Sequence, residues 1–226
     1  MKRRDFTAAL AATALSGAGP AATAAVSEGD ASLGVRAALE RGAVAAVGLL
    51  GRSGGFLDDP RVRIPLPGVL DAAAKMLGAI GQQGKVDELV TAMNRAAEAA
   101  VPQAKALLVQ AVKSMSLADA RRIVTGGDNA ATEFFAARTR EPLAARFLPI
   151  VTRETSKVAL AEKFDAVAGR AAALGLVGRE DASLPQYVTR KALDGLFLVI
   201  GEEERKIRAD PVGTGSAILR RVFGAR

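Results

Sequence analysis

Four charged side chains lie close together in a proline-rich stretch of this 226-residue chain. Asp58 and Asp59 are followed by Arg61 and Arg63 within the segment 55–67, which also holds three prolines. Carboxylate oxygens in such a loop can bind calcium, and the arginines could clamp an anion. Acidic residues beside proline also cap turns, and arginine pairs with them to fix a loop. We favour the structural interpretation and keep a binding site as the alternative.

A second polar cluster is surrounded by alanines. Asn94 and Glu98 are four residues apart and Arg95 precedes Glu98 by three, so a helix places all three within one turn. The neighbouring alanines are too small to cover these side chains, and they allow another helix to approach closely. The cluster is therefore either a polar network between helices that fixes their register, which we favour, or the lining of a polar pocket.

Two further groups of candidates depend on predicted helices. Asp128 begins one helix and Thr132 follows a turn later, where free amides and the helix dipole favour an anionic cap, with a phosphate site as the alternative. On the last long helix, polar residues and a glycine share one stripe, which a partner helix would occupy more readily than a ligand. The stripe consists of Arg190, Asp194, Phe197, Gly201, Glu204 and Arg208.

The absence of histidine, cysteine and tryptophan excludes several chemistries. Imidazole and thiolate metal sites, histidine-ligated haem and histidine-based triads all need residues that the chain lacks. Paired carboxylates remain possible, but Glu202, Glu203 and Glu204 are consecutive, and side chains about 100° apart on a helix cannot form a dyad. We interpret this run as a solvated face. The sequence thus predicts no catalytic residue, no metal site and no cofactor.

The charge pattern argues against a nucleic-acid partner. The formal net charge is +7, but the basic residues are spread along the sequence. One tyrosine and eight phenylalanines offer few rings for stacking on bases. A clustered basic patch is missing, so we predict no nucleic-acid binding.

Helical periodicity extends through the chain. Alanine and leucine dominate, and apolar residues recur at spacings of three and four. We predict an all-α fold, a single globular multi-helix bundle with one long proline-rich loop and no significant sheet. Prolines and glycines set the expected helix ends. The predicted helices span 31–50, 67–80, 85–100, 102–115, 116–124, 128–138, 150–164, a continuation to 176, 184–209 and a short segment ending near 223, with Pro142 and Pro149 bracketing 143–148.

The first residues have the pattern of an export signal. Positive charges precede a weakly apolar stretch over 7–19 and small residues at 22–24, which predicts a cleaved signal peptide over 1–25. Arg3 and Arg4 resemble a twin-arginine signal. Residues 26–226 are predicted to form a single helical domain, periplasmic or secreted. No long apolar run remains after cleavage, so we predict no membrane span.

Five segments together resemble one known family, the bacterial family called domain of unknown function 4197. They are 55–67, 94–98 with Val101-Pro102, 127–132, 146–150 and 187–208. The resemblance covers about Leu33 to Phe223, and the long loop and the stretch 192–197 are its most specific parts. It implies an exported, mainly helical bacterial protein without an assigned activity, so no catalytic residue can be transferred. Some similar proteins look like lipoproteins, but this chain lacks the cysteine that a lipid anchor needs.

These observations favour a non-enzymatic binding or interaction module of the cell envelope. Its partner would be an unknown protein or a small molecule held between helices. One alternative is a carboxylate-dependent hydrolase acting on an envelope polymer, with its acids among Asp59, Glu98, Asp194 and Glu204. A second alternative is a purely structural scaffold with every buried charge paired. The sequence leaves open whether the protein is an enzyme, and we favour the interpretation that it is not.

Overall fold

The computed structural model describes residues 28–165 and 183–210, and these ranges contain helices and no strand. Seven α-helices have defined bounds, and the turns Gly68–Leu70 and Val101–Gln103 are short 3₁₀ helices. Residues 159–165 are also helical. The α-helices are α1 (Glu28–Leu50), α2 (Asp71–Ala79), α3 (Gln83–Ala100), α4 (Ala104–Lys113), α5 (Leu117–Thr125), α6 (Ala130–Thr155) and α7 (Leu184–Ala209). The predicted all-α class is confirmed.

Helix α7 forms the centre of the packing and contacts α1, α3 and α6. Its apolar face, which consists of Leu193, Leu196, Ile200 and Ile207, is buried. Its start is fixed locally, because the Ser183 side chain accepts a hydrogen bond from the Gln186 amide and proline follows within the first turn. The predicted bounds of 184–209 are confirmed.

Two prolines lie inside α6, where the sequence predicted breaks. The expectation of separate helices over 128–138 and 150–164 is therefore wrong. Pro142 and Pro149 are seven residues apart, so they share one face, and both are exposed. The carbonyls that lose their partners can then be hydrated, while a buried stripe on the other face stabilises the helix. That stripe is Phe135, Thr139, Leu143, Phe147 and Val151.

The long loop between α1 and α2 packs on the bundle through a phenylalanine. Phe56 is fully buried, and a Cβ atom added at Gly195 would lie 2.8 Å from its Cε1. Gly195 on α7 is thus the position that leaves space for the ring. The loop is therefore a packed element of the fold and not a free connection.

Short connections shape the remainder of the described chain. Gly81 adopts a positive φ of 76° between α2 and α3, and the two helices contact each other as a helical hairpin. Ser116 and Asp119 form a capping box at the start of α5, within the helix predicted over 116–124. Within the described residues, no helix combines the length and the apolar character that a membrane span needs.

Three predictions concern segments outside the described residues: the signal peptide, the helical continuation to 176 and the last short helix.

Candidate functional site

Glu98 fixes the first half of the long loop. Its Oε1 accepts hydrogen bonds from the amides of Phe56 and Leu57 at 3.0 and 3.1 Å. Its Oε2 accepts one from Arg95 at 2.6 Å, and the same guanidinium nitrogen donates to Ser53 Oγ at 2.7 Å. Glu98 is only 4% exposed. A buried carboxylate with main-chain donors and an arginine is satisfied as an anion, so its role here is to hold the loop.

Asn94 fixes the second half of the loop one helical turn earlier. Its Oδ1 accepts from the Ile64 amide at 2.8 Å, and its Nδ2 donates to the Ile64 carbonyl at 2.9 Å. The amide is completely buried and also donates to the Val90 carbonyl at 2.8 Å. The structure therefore places Asn94, Arg95 and Glu98 together as a clamp between α3 and the long loop. The polar network predicted here joins a helix to a loop, not one helix to another.

The charged residues of the loop separate into two groups. Asp59 Oδ1 accepts from the Arg61 amide and Nε at 3.1 and 2.9 Å, and Arg61 also donates to Glu202 at 2.7 Å. The hydrogen bond from the Arg61 side chain lowers the pKa of Asp59. Asp58 and Arg63 are exposed, as is Arg61. A cleft of about 410 Å³ lies beside this segment and is lined in part by Asp58, Asp59 and Arg61.

Glu204, a residue of α7, caps the N-terminus of α6. Its two carboxylate oxygens accept from the amides of Ala131 and Thr132, each at 2.9 Å, and the Thr132 hydroxyl donates to Oε2 at 2.8 Å. The residue preceding α6, Asn129, makes no side-chain cap, and Asp128 is exposed. The anionic cap predicted at Asp128 is therefore supplied by Glu204. Glu204 is only 7% exposed, so the interpretation of residues 202–204 as a solvated face is wrong for it.

The stripe on α7 faces α6. Arg208 donates to Glu204 at 2.7 Å and to the Ile123 carbonyl at 2.9 Å, which links α5 to this contact. A Cβ atom at Gly201 would lie 3.3 Å from Thr132 Oγ1, so the glycine allows a close approach. Near the other end of the stripe, Asp194 accepts from Arg140 of α6 at 2.9 Å and lies 3.5 Å from Arg190. Helix α6 therefore occupies this stripe, as the partner-helix interpretation predicted, and it lies where the alternative had placed a ligand.

The four carboxylates considered for acid–base chemistry lie in four separate sets of contacts. Asp59 pairs with Arg61, Asp194 with arginines of α6 and α7, and Glu98 and Glu204 each hold main-chain amides. A glycosidase needs two carboxyls on either side of one substrate bond. These four are each engaged in holding different parts of the fold together.

An open groove lies between α2, the start of α3 and the segment 157–164. Its volume is about 610 Å³. Met76 and Ile80 are 72% and 69% exposed on one side, and Phe164, at 3%, lies at the bottom. We call this the α2 groove; its lining residues are Ala73, Met76, Leu77, Ile80, Gln82, Lys85, Glu88, Lys157, Ala159, Leu160, Lys163 and Phe164.

Sequence reasoning missed the α2 groove. Lys85 is more than 70 residues from Lys157 and Lys163 in the sequence, so the sequence gives no sign that the three lysines form a cluster. In the structure they line one groove. Met76 and Ile80 were included in the predicted helix over 67–80 but were not singled out as candidates. The one available signal was the spacing of Met76 and Ile80, which puts two large apolar side chains on one face of a short alanine-rich helix.

A family model matches residues 25–224, and its description is Protein of unknown function (DUF4197). This match confirms the family resemblance predicted from the sequence. No curated protein and no solved structure matches the chain.

Proposed function

We propose that this chain, which belongs to the family described as Protein of unknown function (DUF4197), is a non-catalytic binding module of the cell envelope. The α2 groove is the proposed site, and a ligand with an apolar part is the proposed occupant. One observation carries the proposal. Among the described residues, the two most exposed large apolar side chains, Met76 and Ile80, line the same groove. Clustered apolar exposure of this kind is typical of interaction sites.

The polar residues support a binding role over a hydrolytic one. The buried carboxylates Glu98 and Glu204 are engaged by main-chain amides and arginines, so each holds a loop or helix end in place. Such contacts fix the long loop and the start of α6 rather than presenting a reactive group. A purely structural scaffold would gain nothing from placing Met76 and Ile80 together in water, since exposed apolar surface lowers solubility.

The experiment is recovery of a bound molecule from protein purified gently from its own host. Native mass spectrometry of the wild type, Met76→Asp and Leu33→Asp compares a groove change with a matched change at another exposed residue, since Leu33 is 61% exposed. We expect an adduct on the wild type and on Leu33→Asp that is reduced on Met76→Asp. A bare polypeptide mass, or an adduct that Met76→Asp leaves unchanged, would contradict the proposal.

The location in the cell envelope is part of the proposal and is supported by the N-terminal sequence. Arg3 and Arg4 precede a short apolar stretch and a small-residue cleavage site. Replacing both arginines with lysine keeps the charge and should trap the precursor if export uses the twin-arginine route. Unchanged export of that variant would refute the route, and a cytoplasmic wild-type protein would refute the location.

A further inference from the structure

We infer that the α2 groove takes an anionic single-chain amphiphile, a long-chain carboxylate whose hydrocarbon tail lies on the apolar floor and whose head group lies among the lysines. This inference rests on the proposed function and deepens it by naming the class of ligand. The shape, the apolar lining and the charge of the groove each contribute to it.

The apolar part of the groove has a recessed floor. Phe164 is almost fully buried, Leu77 and Leu160 are half-buried, and Met76 and Ile80 extend into solvent beside them. A hydrocarbon chain lying on this floor would remove apolar surface from water on both partners. A flat bilayer surface could reach Met76 and Ile80 but not Phe164. The recess therefore favours a single chain that leaves the membrane over docking on a membrane.

The charged part of the groove is positive. Its ionisable lining residues are Lys85, Lys157 and Lys163 against a single acid, Glu88. Lys157 pairs with Glu154, whereas Lys85 and Lys163 are exposed and form no ion pair with another described residue. Two exposed lysines in the same lining as apolar side chains match the two parts of an anionic amphiphile, because the carboxylate can pair with a lysine while the hydrocarbon chain contacts the apolar residues. The same lysines would repel a cationic head group.

The test is calorimetric titration of the full chain with dodecanoate and dodecyltrimethylammonium, two amphiphiles of equal chain length and opposite charge. Both are used below their micelle concentrations and at low salt, where surface charges are least screened. We expect dodecanoate to bind more tightly. The double variant Lys85→Glu with Lys163→Glu should weaken dodecanoate by about tenfold and strengthen the cationic amphiphile, since each exposed pair contributes up to about fivefold. An inversion of charge preference cannot come from a mere loss of folding.

The matched control replaces two exposed lysines of α4, Lys105 and Lys113, with glutamate. It makes the same change in net charge away from the groove and should alter either affinity by less than about twofold, because distant exposed charges are screened. Equal effects of the two double variants would overturn the inference. So would a wild type that binds both amphiphiles equally, or one that sediments with phosphatidylglycerol vesicles but does not bind monomeric dodecanoate.

The outcomes separate the inference from the proposed function. If Met76→Asp abolishes binding of both amphiphiles but the wild type does not discriminate between them, the groove binds apolar ligands and only the anionic class is wrong. If neither amphiphile binds and the protein carries no host-derived adduct, both fail.

Discussion

Removal of the Glu98 carboxylate should release the first half of the long loop from α3 and destabilise the whole fold. In Glu98→Ala, the amides of Phe56 and Leu57 lose their acceptor, and the first of these is buried. An unsatisfied buried donor costs about 1–3 kcal/mol, and the half-buried second donor costs less. The pair with Arg95 adds at most about 1 kcal/mol because Arg95 is 43% exposed. We expect a total loss of about 3 kcal/mol in the free energy of unfolding.

Glu98→Gln separates the hydrogen bonds from the charge. Its carbonyl oxygen can still accept from both amides, so the variant loses mainly the charge assistance and the Arg95 pair. We expect a cost of about 1–2 kcal/mol, between the wild type and Glu98→Ala.

Urea denaturation followed by far-ultraviolet circular dichroism measures all of these values. Glu141→Ala, at an exposed position of α6, is the control and should change stability by less than about 0.5 kcal/mol. A loss in Glu98→Ala no larger than that of the control would refute the assignment of Glu98 as the residue that holds the loop.

Three further variants test other contacts of the fold. Glu204→Ala removes the acceptor for two amides of α6 and one of the acceptors of Arg208, so we expect a loss of about 2–4 kcal/mol by urea denaturation. Gly195→Ala places a Cβ atom 2.8 Å from Phe56, which should cost about 1–3 kcal/mol; a neutral effect would mean that the ring is not held there. The Ser116 amide and hydroxyl and Arg122 lower the pKa of Asp119 to about 2 from 3.8. The stabilisation from Asp119 is thus complete above pH 3.8 and is lost as the pH falls towards 2, so Asp119→Asn should flatten this part of the acid unfolding profile.

Local signals were sufficient for most helix bounds. Ser183 and the proline after Leu184 fix the start of α7, and Asp210 with the following proline marks its end. Ser116 with Asp119 fixes the start of α5 in the same way. In each case the residues that set the end of the helix are adjacent in sequence, so pattern and propensity decide the outcome.

Local signals failed where distant residues decide the outcome. Pro142 and Pro149 are normally helix breakers, yet α6 continues because both prolines face solvent and the opposite stripe is buried against other helices. The anion at the start of α6 comes from Glu204, more than 70 residues away. No pattern within a short window of sequence contains that pairing.

The candidate residues illustrate the same division. The cluster of Asn94, Arg95 and Glu98 was recognisable because its members share one helical turn. Its partners, the main chain of Phe56, Leu57 and Ile64, were not, since main-chain amides have no sequence signature. The lysines of the α2 groove are brought together only by the packing of 157–164 near α2 and α3.

The most direct test of the α2 groove as the binding site is a nuclear magnetic resonance titration with methyl-labelled methionine, isoleucine and leucine. Dodecanoate added to the full chain should shift the methyl signals of Met76, Ile80 and Leu160 first. The signals of Leu33 and Leu117, exposed residues that do not line the groove, should stay in place. Shifts centred on Leu33 or Leu117, or no saturable shift at Met76 and Ile80, would contradict the proposed site.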